Sequence, residues 1–206
     1  MVSYPSFIEI LQSGDEKQWR AMCAGELYLS DEQTLVELRA RAEDLLDDYN
    51  QLRHRERAER KDILRTLFGG CGEKLLVRSP FMCDYGANIH VGENFYMNTG
   101  GVILDCAKVT IGDNCLIGPQ VGIYTAGHPL DLAEREVYEF AKPITIGDDC
   151  WIGGHATINP GVTLGNNVVV ASGSVVTKSF PDNVVIAGNP AKILRHLEQP
   201  HQYQKP

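Results

Sequence analysis

From Ile146 onward an aliphatic residue recurs at every sixth position: Ile146, Ile152, Ile158, Leu164, Val170 and Val176. The same beat runs earlier through Ile111, Ile117 and Ile123. Six is a multiple of the two-residue strand period, so in an extended chain every marked side chain faces the same way. In an α-helix, six steps of about 100° each leave the face. A second register supports the first. Two residues earlier stands a small or branched residue, at Val109, Cys115, Val121, Cys150, Ala156, Val162, Val168 and Ser174. Glycine often follows the aliphatic position, at Gly112, Gly118, Gly147, Gly153 and Gly165. That placement predicts a corner with left-handed backbone angles. Each unit reads as one short strand plus one corner, and three units as one coil of a prismatic solenoid. Counting about 18 residues per coil gives roughly five coils and, at about 4.8 Å per rung, a prism on the order of 24 Å long.

The repeat starts irregularly from about Pro80, with first rungs around 89–92 and 95–98, and it breaks once. Ile123 and Ile146 are 23 residues apart, which is not a multiple of six, so a loop over 126–142 is extruded from the coil. Long loops in compact repeats are usually functional or disordered. Residues 1–70 follow a different pattern. Leu35, Leu38, Ala42, Leu45, Tyr49 and Leu52 keep a three-four spacing, which predicts an amphipathic helix capped at Ser30 or Asp31. A charged helix over 53–68 stops at Gly69-Gly70, and an earlier helical stretch covers about 15–25. After Gly188-Asn189-Pro190, residues 191–206 read as a polar tail beginning in a short helix. The chain divides into a helical cap (1–70), a β solenoid (71–190) with its loop (126–142), and the tail.

With 206 residues, 43% hydrophobic and 22% charged, the chain fits a soluble protein of one or two domains. Its net charge of −8 argues against non-specific nucleic-acid binding. No long apolar run predicts a membrane span, and no apolar N-terminal segment predicts a secretory signal. The six cysteines form no CxxC pair. Cys115 and Cys150 take inward repeat positions, where a free thiol packs as a small hydrophobe. This pattern favours a reducing, cytoplasmic setting over a disulfide framework.

Beside the repeat stand more specific segments. They are Ala24-Gly25-Glu26-Leu27-Tyr28, Cys83-Asp84-Tyr85-Gly86, Phe95-Tyr96-Met97-Asn98 and Ile123-Tyr124-Thr125-Ala126-Gly127-His128-Pro129, followed by Trp151-Ile152-Gly153-Gly154 and Gly188-Asn189-Pro190-Ala191. Together with the helical cap they make this chain resemble the maltose/galactoside O-acetyltransferase family, hexapeptide-repeat enzymes that use acetyl-coenzyme A. The Cys83-Asp84-Tyr85-Gly86 run places it nearest the maltose branch. The resemblance implies a left-handed parallel β-helix assembled as a homotrimer, with active sites between adjacent subunits. The handedness comes from the resemblance alone, because parallel β crossovers are predominantly right-handed. Acetyl-coenzyme A is the implied acyl donor, a sugar or related small hydroxyl compound the implied acceptor, and no metal is required.

His128 opens the extruded loop, and a neutral imidazole can accept a hydroxyl proton near neutral pH. By resemblance it is the general base; on residue chemistry alone, a surface histidine is the equal alternative. Asn98 matches a catalytic position, with a plain solenoid corner as its competing reading. Glu139 matches an acidic position that could orient His128, against a solvated loop carboxylate. Asp84, Tyr96, Asp105 and Arg39 match acceptor-side positions. Gly154, Ser172, Thr177, Lys178, Lys192 and Arg195 match the coenzyme A track, with a backbone N–H near Gly154 as oxyanion donor. Trp151 either lines that track or packs at a subunit contact. Two other readings remain. One is a zinc hydratase of the γ-carbonic-anhydrase kind using His90, His128 and His155, and the other is a non-catalytic trimeric scaffold. An acetyl-cysteine route through Cys106 or Cys115 competes with direct attack.

Overall fold

The two repeat registers point inward and the residue between them points out. Val109 and Ile111 are buried around a half-buried Thr110, and the same alternation recurs at Phe81–Cys83, Ile89–Val91 and Ile144–Ile146. In the computed structural model, which describes residues 4–198, these rungs stack into three sheets. The first sheet holds β1 (Gly70–Cys71), β4 (Ile89–Val91), β7 (Val109–Ile111), β12 (Ile144–Ile146) and β15 (Thr163–Leu164). The second holds β2 (Leu75–Val77), β5 (Phe95–Met97), β8 (Leu116–Ile117), β13 (Trp151–Ile152), β16 (Val168–Val170), β18 (Val184–Gly188) and β19 (Ala191–His196). The third holds β3 (Phe81–Cys83), β6 (Gly101–Leu104), β9 (Gly122–Tyr124), β14 (Thr157–Ile158) and β17 (Val175–Val176). All pairings within them are parallel except β18 with β19. Coiling begins at Gly70, earlier than Pro80, so five complete coils are followed by a sixth that starts at Phe180, bridged in parallel to Leu164, and continues in β18.

The stride of the coil locates its irregularities. Leu75 pairs with Phe95, Ile89 with Val109 and Ile103 with Ile123, a stride of 20. Ile146 pairs with Leu164 and Ile158 with Val176, a stride of 18. Between them Ile111 pairs with Ile146 across the loop, a stride of 35 that exceeds a regular coil by the 17 residues 126–142. Every insertion falls on one edge, where the third sheet turns into the first. Residues 84–88 and 104–108 widen that edge in the first two coils, and in the third coil the loop leaves it. The two-residue surplus hides the six-residue beat in the early rungs.

The repeat glycines have a different role from the one their spacing suggests. Gly112, Gly118, Gly147, Gly153 and Gly165 are absent from the left-handed positions, which fall instead on Asn94, Asn114, Gln120, Asp149, His155, Asn167 and Asn183 and on other glycines such as Gly100, Gly161 and Gly173. Asn and Asp tolerate that region better than other side chains. Asn94, Asn114 and Asp149 also stack through side-chain hydrogen bonds of 3.1 and 3.0 Å. The glycines are required by the coil above. A Cβ on Gly153 would lie 2.6 Å from Ser172 N and 2.7 Å from Val170 O, both rigid backbone. Gly153→Ala is therefore expected to lower unfolding stability by about 1–3 kcal/mol, the usual cost of overpacking. A shift in denaturant midpoint without a change in m checks this.

Four helices precede the coil: α1 (Phe7–Ser13), α2 (Glu16–Ala24), α3 (Gln33–Gln51) and α4 (Arg57–Leu67). α3 is capped by Glu32, whose carboxylate accepts from Thr34 N and Leu35 N, rather than by Ser30 or Asp31. Ser30 O is occupied by the Arg39 guanidinium at 2.6 Å. Leu45, Leu46, Tyr49, Leu64, Leu67 and Phe68 join the solenoid core and close its first coil. A second core, with Met22, Tyr28, Leu35 and Leu38, packs the cap against Tyr85, Cys106, Ala107 and Ala141 on the widened edge. At the other end residues 191–196, expected as a tail starting in a helix, form β19 and cover β18. The alternation Val184-Val185-Ile186 supplies the strand template.

Candidate active site

The widened edge gathers most of the acceptor-side residues. Asp84 follows β3, and Cys106 of the next coil donates its thiol to Asp84 Oδ2 at 3.3 Å. Burial raises the Asp84 carboxyl above its ordinary value, opposed by the Cys106 hydrogen bond and the nearby Arg39 charge. Arg39 reaches the edge from α3 and donates to the Tyr85 hydroxyl at 2.7 Å. Asp105 does not face ligand space. It is fully buried, and its Oδ1 accepts from Asp84 N and Tyr85 N while its Oδ2 accepts from Asn88 N. Burial pushes its pKa up to about 6 against the pull of these backbone donors. The acceptor contact expected of Asp105 is thus replaced by a structural one, because its oxygens already hold the corner that carries Asp84.

Above this corner the loop departs through β10 (Ala126–Gly127) and returns through β11 (Phe140–Ala141), an antiparallel pair with a short helix, α5 (Leu132–Arg135), between them. His128 leaves β10 exposed. Glu139 is anchored elsewhere: its carboxylate accepts from the Tyr28 hydroxyl at 2.8 Å, and both backbones pair at 3.0 and 3.1 Å. No hydrogen bond joins Glu139 to His128 among the described residues. The cap segment around Tyr28 therefore grips the loop's return strand.

A second group lies on the second sheet. Tyr96, Asn98, Trp151, Gly154 and Ser172 line one cleft of about 520 Å³, and His155 lines it as well. Tyr96, expected beside the acceptor, thus stands with the expected coenzyme A residues. Asn98 Oδ1 accepts from Thr99 N at 2.8 Å, and Nδ2 donates to nothing among the described residues. The Gly154 N–H likewise has no acceptor there, while its carbonyl accepts from Gly173 N. Outward residues of the second sheet pair in one line, Leu76–Tyr96–Leu116–Trp151–Val169–Val185, ending on Arg195 of β19. The corresponding line of the first sheet is polar: His90, Thr110, Thr145 and Thr163. Thr177, Lys178 and Lys192 are exposed toward the same C-terminal end as Arg195.

One chain thus divides the expected site in two. Arg39, Asp84, His128 and Glu139 belong to the edge between the third and first sheets, whereas Tyr96 and Trp151 stand on the second sheet and Asn98, Gly154 and Ser172 at the corner where it turns into the third, across the prism from that edge. His90, His128 and His155 lie on different faces and corners, and no three His, Cys, Asp or Glu converge among the described residues. Tyr28, Tyr85 and Thr125, which pack at this edge, were not singled out from sequence, and Cys106 only as an alternative nucleophile, because no repeat register or motif spacing marks a side chain at an inserted corner.

The description "Maltose acetyltransferase hexapeptide capping motif" matches residues 21–72, the α2–α4 region. The description "Hexapeptide repeat of succinyl-transferase" matches 108–127 and 143–178, on either side of the loop. A galactoside O-acetyltransferase of Escherichia coli is 42% identical over 187 residues, covering 88% of this chain and 91% of its own length. The crystal structure of a maltose O-acetyltransferase from Clostridium difficile superposes with a TM-score of 0.87 at 43% identity, covering 88% of this chain and 98% of that one. A hexapeptide-repeat acetyltransferase of Vibrio cholerae, solved with acetyl coenzyme A, gives 0.82 at 39% identity, covering 89% and 100%. With the cap motif and the repeat matched, and relatives above 40% identical over most of its length, the chain belongs to the maltose/galactoside O-acetyltransferase family.

Proposed function

We propose that this protein transfers the acetyl group of acetyl-coenzyme A to a hydroxyl of a sugar-like acceptor, with His128 as general base, at sites formed between the subunits of a homotrimer. The observation that carries this reading is the division of the site: the His128 edge and the Asn98 cleft lie across the prism from each other in one chain. A neighbouring copy laid against the second sheet brings its own edge to that cleft. The apolar line from Leu76 to Val185 is the face of this protein suited to such a contact, with Leu116 51% and Trp151 55% exposed in the single chain. A C3 ring makes three equivalent contacts of this kind.

Coenzyme A fits the second sheet on chemical grounds. An extended pantetheine arm can lie along the cleft and apolar line, and the Arg195, Lys192 and Lys178 cations stand at the end where phosphates would reach. A coenzyme A complex exists for a galactoside acetyltransferase whose structure matches with a TM-score of 0.85 at 40% identity. In the reaction, neutral His128 takes the acceptor hydroxyl proton as that oxygen attacks the thioester carbonyl. The Gly154 N–H and the Asn98 amide are the available donors for the oxyanion. Collapse expels the coenzyme A thiolate, which receives the proton from His128. Direct attack is favoured over an acetyl-cysteine, since burial raises the Cys106 thiol, and the Cys150 hydrogen bond together with burial raises that of Cys115, which suppresses the nucleophilic thiolate.

The acceptor side is acidic and hydroxyl-directed. Asp84 and Glu139 offer acceptor oxygens, while Arg39 holds the Tyr85 hydroxyl and the Tyr28 hydroxyl donates to Glu139. The test is a panel of mono- and oligosaccharides with acetyl-coenzyme A, following release of free thiol. Acceptor-dependent release is expected, and release that no hydroxyl compound stimulates contradicts the proposal. In the same assay His155→Ala, which removes the cleft's own imidazole, is expected to stay within about tenfold of wild type, because general-base catalysis is worth more than this.

A further inference from the structure

Two buried side chains that no proposed step uses tie the three successive corners of the widened edge together. Asp105, in the second coil, holds the first coil's corner by accepting from Asp84 N at 3.1 Å, Tyr85 N at 2.9 Å and Asn88 N at 3.2 Å. Asn88 returns the contact, its Nδ2 donating to Asp105 O at 2.8 Å. Thr125, in the third coil, holds the second coil's corner: Oγ1 accepts from Ala107 N at 2.9 Å and donates to Leu104 O at 2.7 Å. Both side chains are fully buried. The regular corners between the first and second sheets carry the same kind of tie, Asp113, Asp148, Asn166 and Asp182 accepting from the backbone N–H of Glu93, Asp113, Asp148 and Asn166 in the coil before. Asp105 and Thr125 differ in holding the corners that carry the candidate site. Inserted corners leave donors that only a side chain from the next coil can reach.

These ties run to the reacting groups. Residues 84 and 85 carry the carboxylate and hydroxyl of the acceptor side. Thr125 is three residues before His128, at the root of the loop, where Thr125 O also accepts from Lys142 N at 2.8 Å as the loop returns. We propose that Asp105 and Thr125 are positioning residues: Asp105 sets the Asp84 corner for the acceptor, and Thr125 sets the loop root and thereby His128. The inference rests on the acetyl-transfer reading above. It assigns the two residues separable effects, on acceptor affinity for Asp105 and on turnover for Thr125.

Thr125→Val keeps volume and removes both hydroxyl contacts, whereas Thr125→Ser keeps them. The valine variant is expected to lose about tenfold or more in kcat, since an ångström-scale misplacement of a catalytic group costs up to about 10²-fold. Its acetyl-coenzyme A KM is expected to hold within about twofold, and the serine variant to behave as wild type. Asp105→Asn is expected to raise the acceptor KM about tenfold with a smaller change in kcat. Hydrogen exchange of amides 84–88 in the same variant is expected to speed up. Wild-type kcat in Thr125→Val overturns the proposal, as does equal loss in both Thr125 variants, or faster exchange in Asp105→Asn with an unchanged acceptor KM. Should the wild-type protein acetylate no acceptor, the acetyl-transfer reading fails by itself. Unaltered exchange at 84–88 in Asp105→Asn would then overturn the tie independently. If Asp105→Asn does not fold, the Thr125 pair decides.

Discussion

Replacing His128 with alanine is expected to lower turnover by about 10²–10⁴-fold, the usual contribution of a positioned general base. The structure predicts that little else changes. His128 is exposed at the end of β10 and makes no hydrogen bond among the described residues, so its removal leaves no buried group unsatisfied. Glu139, which could have depended on it, is held by Tyr28 instead. Melting temperature, oligomeric state and acetyl-coenzyme A affinity should therefore match wild type, with the loss confined to kcat. Turnover within a few-fold of wild type would remove His128 from the mechanism and direct attention to His155, the imidazole inside the Asn98 cleft.

Leu116→Asp is expected to break the assembly and, with it, activity. In the single chain Leu116 lies on the outer face between Tyr96 and Trp151 and is 51% exposed. A carboxylate there meets water and costs little to folding. At a subunit contact the same charge is desolvated without a partner, a penalty of several kcal/mol per ion. Repeated in three equivalent contacts of a ring, that penalty shifts the species in solution from trimer to monomer. Light scattering coupled to size exclusion reads the mass directly, and turnover is expected to fall by at least about 10²-fold as the shared site disappears. A trimeric Leu116→Asp protein would show that the second-sheet line is not the contact.

The regular part of this molecule was legible from sequence because one rule, in–out–in with a corner, repeats unchanged. Ile146 to Val176 lie where their spacing puts them, and the break after Ile123 correctly marked the loop. What was missed shares a cause. The two-residue surplus at 84–88 and 104–108 shifted the early beat, so the period could be followed back only to about Pro80 and not to the first rung at Gly70–Cys71, although the solenoid was bounded at 71. Asp105 was placed on the acceptor side by resemblance, which matches a position and not the direction of its side chain. Only the fold shows its oxygens facing the amides of the coil below. The repeat glycines were matched to backbone angle, although the constraint is the proximity of the next coil, an inter-coil distance that local sequence does not encode. α1 was omitted even though Ser6 and Glu9 form a reciprocal capping box. The Tyr28–Glu139 grip spans 111 positions in the chain and has no local signature.

The central claim is that each site takes His128 from one subunit and Asn98 from the next. Co-expression of His128→Ala chains with Asn98→Ala chains, each separately tagged, tests it most directly. Each variant alone is expected to be nearly inactive. Each mixed trimer joins one intact His128 to one intact Asn98, so about a third of its sites are restored, or about a quarter over all trimers assembled at random from equal amounts. Turnover of the doubly tagged fraction well above that of either parent is the predicted result. Mixed trimers as inactive as both parents would place the two residues in one subunit's site and contradict the account.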